Sequence, residues 1–228
     1  MSARVSLPKG IIFDLDGTLI DSAPDIAAAV NKVIATLGRE PLSVAYVDGF
    51  IGEGARSMLR RIFADLGIET SAEDLERHLA DYLNHYQAGP VARTQFYADV
   101  EGDLRRLKAA GIRLGICTNK PHDLTRIVLD GLGVSGLFDA VRGADAVERR
   151  KPDQAHLMAV VDAMELARED IYYVGDTEID RACAHAAGIA FFIVDWGGGV
   201  HLADRGDTRI TRLTDLLALK RTPEIQYK

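Results

Sequence analysis

The chain has 228 residues, of which 47% are hydrophobic and 27% charged, and its formal net charge is −7. That length suits one large domain or a domain with a smaller appendage, and the composition is that of a soluble globular protein. The acidic balance removes any electrostatic case for a nucleic acid or an anionic membrane as partner, and no apolar run reaches the roughly 18 residues that suggest a membrane span.

The opening "MSARVSLPKG" carries no secretory pattern and passes into "GIIFDLD" (10–16), which predicts a first strand. The end of that strand reads "FDLDGTLIDS" (13–22). Side chains alternate along a strand, so Asp14 and Asp16 are predicted to point the same way and to repel unless something offsets them. Ser22 is the candidate N-cap of a helix with Pro24 in its first turn, ending near Gly38. Helical periodicity returns at about 54–66 and 71–87 with no strand between. This stretch reads as a small all-helical unit inserted after the first strand, which the chain leaves near Leu19 and rejoins near Phe96. Linkers so placed let the insert open and close over Asp14. Residues 1–20 and 96–228 are therefore expected to form the core domain, and 21–95 a helical cap.

Further strands are predicted at "IRLGICTN" (112–119), "DAVRGAD" (139–145), "IYYVGD" (171–176) and "AFFIVD" (190–195). Helix-period segments at 99–110, 122–132, 153–165 and 178–187 separate most of them. The alternation predicts an α/β fold: a Rossmann-like parallel sheet core with the small α-helical cap inserted after the first strand. Near-continuous apolar strands fit a sheet covered on both faces. Cys117 reads as a small core residue, and Cys183 lies far from it in the sequence with no CxxC pattern; a reducing, cytoplasmic location without a disulfide frame or zinc site is expected. The six histidines show no metal spacing, and His78 and His85 are expected on the cap surface. Trp196, in "DWGGG", either borders a pocket or packs its indole in a turn.

The chemistry lies in the polar residues at the strand ends. Asp14 and Asp16 follow the first strand, Thr118 and Asn119 the second, and Asp176 a later one, with Lys151 before Pro152 at a predicted helix start. In an open parallel sheet, ligands bind at the carboxyl ends of the strands, so these residues are expected at one edge. The set resembles the haloacid dehalogenase superfamily of phosphatases: "DLDGTLIDS" is similar to its first motif, "CTN" to its second, "KP" to its third, and "GDTEID" followed by "AAG" to its fourth. The resemblance spans Ile11 to Gly188 in order and spacing, and the helical insert resembles that family's small cap.

The resemblance implies that Asp14 is the nucleophile, forming an aspartyl-phosphate, and that Asp16 moves protons while its main-chain carbonyl ligates a metal. It further implies that Asp176 is a metal ligand, that Thr118 and Asn119 meet the substrate, with Thr118 holding phosphoryl oxygens, and that Lys151 stabilises the charge. Asp180 is expected to hold a metal-bound water or orient Lys151, or else to be plain N-terminal helix charge. Hard oxygen ligands without His or Cys favour Mg²⁺ over zinc, and a divalent cation between Asp14 and Asp176 would offset the carboxylate repulsion. The expected partner is a small-molecule phosphate ester; the oligomeric state, monomer or homodimer, stays open.

Asp16 favours phosphomonoester hydrolysis, because halide leaves without a proton whereas an alkoxide gains about 10² to 10⁴ in rate from a general acid. "TNKP" (118–121) together with "GEGA" (52–55) resembles the phosphoglycolate phosphatase group. Gly52 and Gly54 can bring backbone N–H groups to a small anion, and Arg56, Arg60 and Arg61 are candidates to meet a carboxylate, Arg56 and Arg61 foremost. Glu53, "FYADV" (96–100) and "KPDQ" (151–154) depart from that group's pattern, Glu53 by setting a negative charge where an acid would bind. The leading substrate is 2-phosphoglycolate. The alternatives are a β-phosphoglucomutase-like phosphosugar mutase, a hydrolase of other sugar phosphates, nucleotides or pyrophosphate, and a non-catalytic regulatory protein.

Overall fold

The computed structural model describes residues 7–198 and 207–218. Its main sheet contains β1 (Gly10–Phe13), β4 (Arg113–Cys117), β5 (Ala140–Arg142), β6 (Ile171–Gly175), β7 (Ala190–Val194) and β8 (Thr208–Ile210), all paired in parallel in the order β5-β4-β1-β6-β7-β8. The last strand was not expected from the sequence. Alternation sends Ile11 and Phe13 to one face and Ile12 to the other. The first face is covered by α5 (Val100–Ala109) and α6 (His122–Gly131), the second by α7 (Gln154–Ala163) and α8 (Glu178–Ala187). Burial on both faces explains why these strands read as apolar runs rather than alternating ones. Cys117 and Cys183 are free thiols buried in the second face.

Register decides what happens at the carboxyl edge. Phe13 lies opposite Ile116 of β4 and Val174 of β6. The next residues along the three chains, Asp14, Cys117 then Thr118, and Gly175 then Asp176, therefore leave the sheet at the same level.

The segment between β1 and β4 is helical, as its periodicity predicts. It holds α1 (Ala23–Thr36), α2 (Val44–Asp48), α3 (Ala55–Asp65) and α4 (Ala72–Gln87), of which the short α2 was not foreseen. Their apolar faces form a separate core, including Val30, Leu59, Phe63 and Tyr86, onto which Leu124 of α6 also packs. The two crossings between this unit and the sheet pair as antiparallel strands, β2 (Ile20–Asp21) with β3 (Gln95–Phe96). Asp25 fastens the returning crossing, accepting from the Arg93 and Thr94 amides and from Thr94 Oγ1 at 2.8–2.9 Å.

Two local expectations are corrected. Ser22 does precede α1, but its side chain does not cap the helix; its hydroxyl donates instead to Asp16 Oδ1 at 2.5 Å. His78 is buried edge-on against Phe63, 5.4 Å between centroids, because it lies on the face of α4 that also carries Leu75 and Tyr82. No helix among the described residues is long and apolar enough to cross a membrane.

Candidate active site

Asp14 and Asp16 do not share one environment. Asp14 is buried beside Lys151, whose Nζ lies 2.9 Å from Asp14 Oδ1. Asp16 turns toward the cap, where Lys120 Nζ meets its two oxygens at 2.9 and 3.1 Å. The repulsion expected from their spacing is thus met by two separate lysines. The motif "TNKP" gives Lys120 no role by itself; its place directly after two strand-end polar residues is the signal the sequence offers.

Lys151 is held by more than its charge. Its ammonium lies 2.6 Å from Asp180 Oδ1 and 3.1 Å from the Tyr173 hydroxyl, which itself donates to Asp180 Oδ1 at 2.7 Å. The other Asp180 oxygen accepts from Thr177 N–H and Oγ1, forming a capping box at the start of α8. Below, the Lys151 amide donates to His156 Nδ1 at 3.1 Å, and His156 Nε2 faces the Arg142 carbonyl. Burial, then the Lys151 charge, pushes His156 down to about 4, so the ring is neutral near pH 7. Nothing in the sequence separates Tyr173 from Tyr172, or His156 from an ordinary helix histidine; only the fold brings them to Lys151.

Asp176 sits against the first motif. It accepts from Thr18 Oγ1 at 2.8 Å and from the Gly198 amide at 3.3 Å. Gly17, at φ +82°, leaves room for it: a Cβ there would fall 2.4 Å from Asp176 Oδ2. Trp196 locks this turn by donating from Nε1 to the Thr18 carbonyl at 2.9 Å, so the indole both packs and braces the site.

Asp14, Asp176 and Asp180 bring one carboxylate oxygen each within 4.8 Å of one another, all buried. Burial, against the opposing pull of Lys151, pushes the Asp14 carboxyl up to about 7. Burial and then the neighbouring Asp180 and Asp14 charges raise Asp176 as well. Burial acts on Asp180 in the same direction but is outweighed by Lys151, Thr177 and Tyr173, which hold it below the usual carboxylate range. Burial would lower Lys151, yet Asp14 and Asp180 hold it above the ordinary lysine range. One ammonium among three buried carboxylates leaves negative charge in excess. An all-oxygen donor set of that kind fits a hard divalent cation. Both Asp180 oxygens are held by Lys151, Tyr173 and Thr177, whereas Asp176 meets one hydroxyl and one long amide contact and Asp14 one ammonium, so Asp14 and Asp176 are the side chains better placed to serve one.

The cap loop closes over this edge. Asn119 Nδ2 donates to the Gly52 carbonyl at 3.0 Å and to the Lys151 carbonyl at 3.2 Å, joining cap, second motif and third motif. A cavity of about 480 Å³, counting its open mouth, lies between core and cap, and Asp14, Asp16, Gly52, Gly54, Thr118 and Asn119 all line it. Arg56 and Arg61 do not; Arg61 lies instead on a second cavity that also borders Asp16, Gly52 and Asp176. Arg56 pairs with Glu76 on the exposed side of the cap. Arg61 pairs with Glu53 at 2.7 Å, and Ser57 Oγ donates to the other oxygen of that carboxylate. Glu53 is thereby ion-paired, and with Arg61 it borders the second cavity, on the Asp176 side, which shares Asp16, Ile51 and Gly52 with the first.

A family model for haloacid dehalogenase-like hydrolase matches residues 11–194. The chain is 44% identical over 189 residues to a phosphoglycolate phosphatase of Cereibacter sphaeroides, covering 82% of this chain and 85% of the relative. It is 36% identical over 217 residues to phosphoglycolate phosphatase 1 of Pseudomonas aeruginosa, covering 92% and 79% respectively. Among solved structures, a Haemophilus somnus protein described as a predicted phosphoglycolate phosphatase superposes with a TM-score of 0.85 at 26% identity, over 93% of this chain and 98% of that one.

Proposed function

The chain belongs to the haloacid dehalogenase-like hydrolases and is a phosphatase of that family; from that premise we propose that it hydrolyses 2-phosphoglycolate to glycolate and phosphate with Mg²⁺ as cofactor. The observation that carries the reading is the convergence of Asp14, Asp16, Thr118 and Asn119 on one small cavity, with Lys151 and Asp176 directly behind Asp14.

In this reading an Asp14 oxygen attacks phosphorus and the P–O bond to the leaving group breaks, leaving an aspartyl-phosphate. Protonated Asp16 gives its proton to the departing alkoxide, then as a carboxylate takes one from the water that attacks the phosphorus and frees Asp14. Thr118 and Lys151 hold the phosphoryl oxygens, and Asp180 and Tyr173 keep the Lys151 ammonium aimed at Asp14. Asp14, the Asp16 main-chain carbonyl and Asp176 would hold Mg²⁺, which when bound neutralises phosphoryl charge. Residues 21–95 act as the cap, and the β2–β3 crossings are where it would open for entry and product release.

The cavity walls favour a small ester. Beside the few polar groups of Tyr82, Tyr86, Asn119 and Lys120, the wall of Ile26, Ile51, Met58, Leu83 and Leu124 leaves the several hydroxyls of a sugar phosphate short of partners, and each costs free energy when buried unpaired. The relatives' names point the same way. Phosphate release from a panel of phosphorylated acids, sugars and nucleotides, with and without Mg²⁺, tests the proposal. The expected profile peaks on 2-phosphoglycolate, disappears without the metal, and disappears in Asp14→Asn with the fold retained. Substantial turnover by Asp14→Asn would sink the mechanism. Dependence on a bisphosphate with phosphate kept on a sugar would indicate the mutase instead, and silence across the panel a non-catalytic role.

A further inference from the structure

We propose that Lys120, together with the hydroxyl of Tyr86, forms an anion subsite in the cavity that receives the carboxylate of a small phosphorylated acid. The proposal rests on the phosphatase reading and deepens it by naming the chemistry that selects the substrate.

Among the described residues lining this cavity, Lys120 is the only lysine or arginine. Its side chain is 4% exposed, and its ammonium sits over the Tyr86 ring, 4.5 Å from the centroid. An ammonium has three N–H groups, and the two contacts to Asp16 leave one for another acceptor. Tyr86 lines the same cavity, and its buried hydroxyl has no well-formed hydrogen bond among the described residues. A buried polar group without a partner is costly, and a ligand oxygen beside Lys120 would satisfy it. Apart from Tyr82, stacked on Tyr86, the rest of the wall on this side is apolar (Ile26, Met58 and Leu83), so a second anionic group on a substrate finds no other cation there.

Position fixes which group this is. Asp16 must face the ester oxygen to protonate it, and Lys120 is bonded to Asp16. The atoms that reach Lys120 are therefore those two or three bonds beyond the ester oxygen, where 2-phosphoglycolate carries its carboxylate. The cap arginines, committed to Glu76 and Glu53, are not needed for this step.

The rival reading is that Lys120 serves Asp16 alone. The two part when an acidic ester is compared with a neutral one of similar size. Binding of 2-phosphoglycolate and of ethyl phosphate to Asp14→Asn protein, with Mg²⁺ present, is measured by calorimetric titration with and without Lys120→Gln. Turnover of both esters is measured with Lys120→Gln in the otherwise native chain. The subsite predicts that Lys120→Gln weakens binding of the acid by roughly 10- to 100-fold while changing ethyl phosphate much less, and that KM for the acid rises correspondingly. Equal losses for both esters, confined to kcat, overturn the proposal, as does a parent protein that binds both esters equally. If Lys120→Gln does not fold, Tyr86→Phe, which removes the hydroxyl beside the Lys120 ammonium and keeps the ring, carries the test. An acid-selective loss of about 3- to 10-fold supports the subsite, and an unchanged acid-to-neutral ratio overturns it. Selective binding of the acid in a chain that releases no phosphate would support the subsite and count against the proposed function alone.

Discussion

Two aspartates two positions apart are given different work by the lysines they meet, and that division rests on buried hydroxyls as much as on charge. Tyr173 is the clearest case, since its oxygen contacts Lys151 Nζ at 3.1 Å and Asp180 Oδ1 at 2.7 Å in a fully buried position. Without it the ammonium keeps its two carboxylates but loses the contact that fixes its direction. Tyr173→Phe is expected to cost about 1–2 kcal/mol of stability and to lower kcat several-fold with KM little changed. Urea unfolding and steady-state kinetics on the same preparation check this; a rise in KM with kcat intact would place Tyr173 in substrate binding instead. Asp14, Asp16, Thr118 and Asp176 were legible in the sequence because each follows a strand in a recognisable motif, and Lys151 because it precedes Pro152 just before α7. Tyr173, His156 and Tyr86 were not, because each looks like any aromatic or histidine in an apolar run. Their roles come from partners at least five residues away, and in Tyr86's case from the other side of the cavity.

At the scale of elements, the loop between α2 and α3 is where the helical unit meets the second and third motifs, and in the proposed function it is the contact that opening must break. Gly52 is tied to Asn119, and Gly54, at φ +86°, packs so that a Cβ would lie 2.8 Å from Arg150 Nη1 and 3.1 Å from the Asn119 carbonyl oxygen. Gly54→Ala combines an unfavourable backbone region with contacts against the core, a strain of order 1–3 kcal/mol. The strain falls on the closed state and is relieved when the loop lifts. The expected outcome is a KM for the phosphate ester raised about tenfold or more, with a melting temperature within a few degrees of the parent. A large drop in melting temperature with unchanged KM would mean that the loop matters to folding rather than closure. The sequence marked this loop by its two glycines and marked the cap by helical periodicity. It did not show that Arg56 and Arg61 pair with Glu76 and Glu53, because an arginine's direction depends on which carboxylate lies within its reach. Nor did it show α2 and β8, elements of five and three residues, too short for periodicity to register.

For the molecule as a whole, the sheet gathers three carboxylates that repel one another when nothing but Lys151 lies among them. The Asp14 carboxyl, pushed up to about 7, binds a proton in the folded chain at pH values where the unfolded chain, near 3.8, has released it. The folded state is then the one that gains as pH falls. Stability in a chelator should therefore rise by roughly 1 kcal/mol as pH drops from 8 to 6.5, the sign opposite to that of an ion-paired aspartate. A divalent cation should remove that dependence by stabilising the charged form. A ligand that binds only the folded state at about 100 times its Kd adds about 2.7 kcal/mol, which for a chain of this size is a melting-temperature rise of roughly 5–10 °C. Thermal melts in Mg²⁺ and in EDTA at pH 8 and 6.5 measure both effects. Asp176→Asn separates them from general salt effects. It keeps an oxygen for Thr18 but removes one buried charge, so it should lose the Mg²⁺ response while melting in EDTA no lower than the parent within a few degrees. If Asp176→Asn instead melts far below the parent in EDTA, the carboxylate is a structural anchor, and the excess of negative charge is not what calls for the metal.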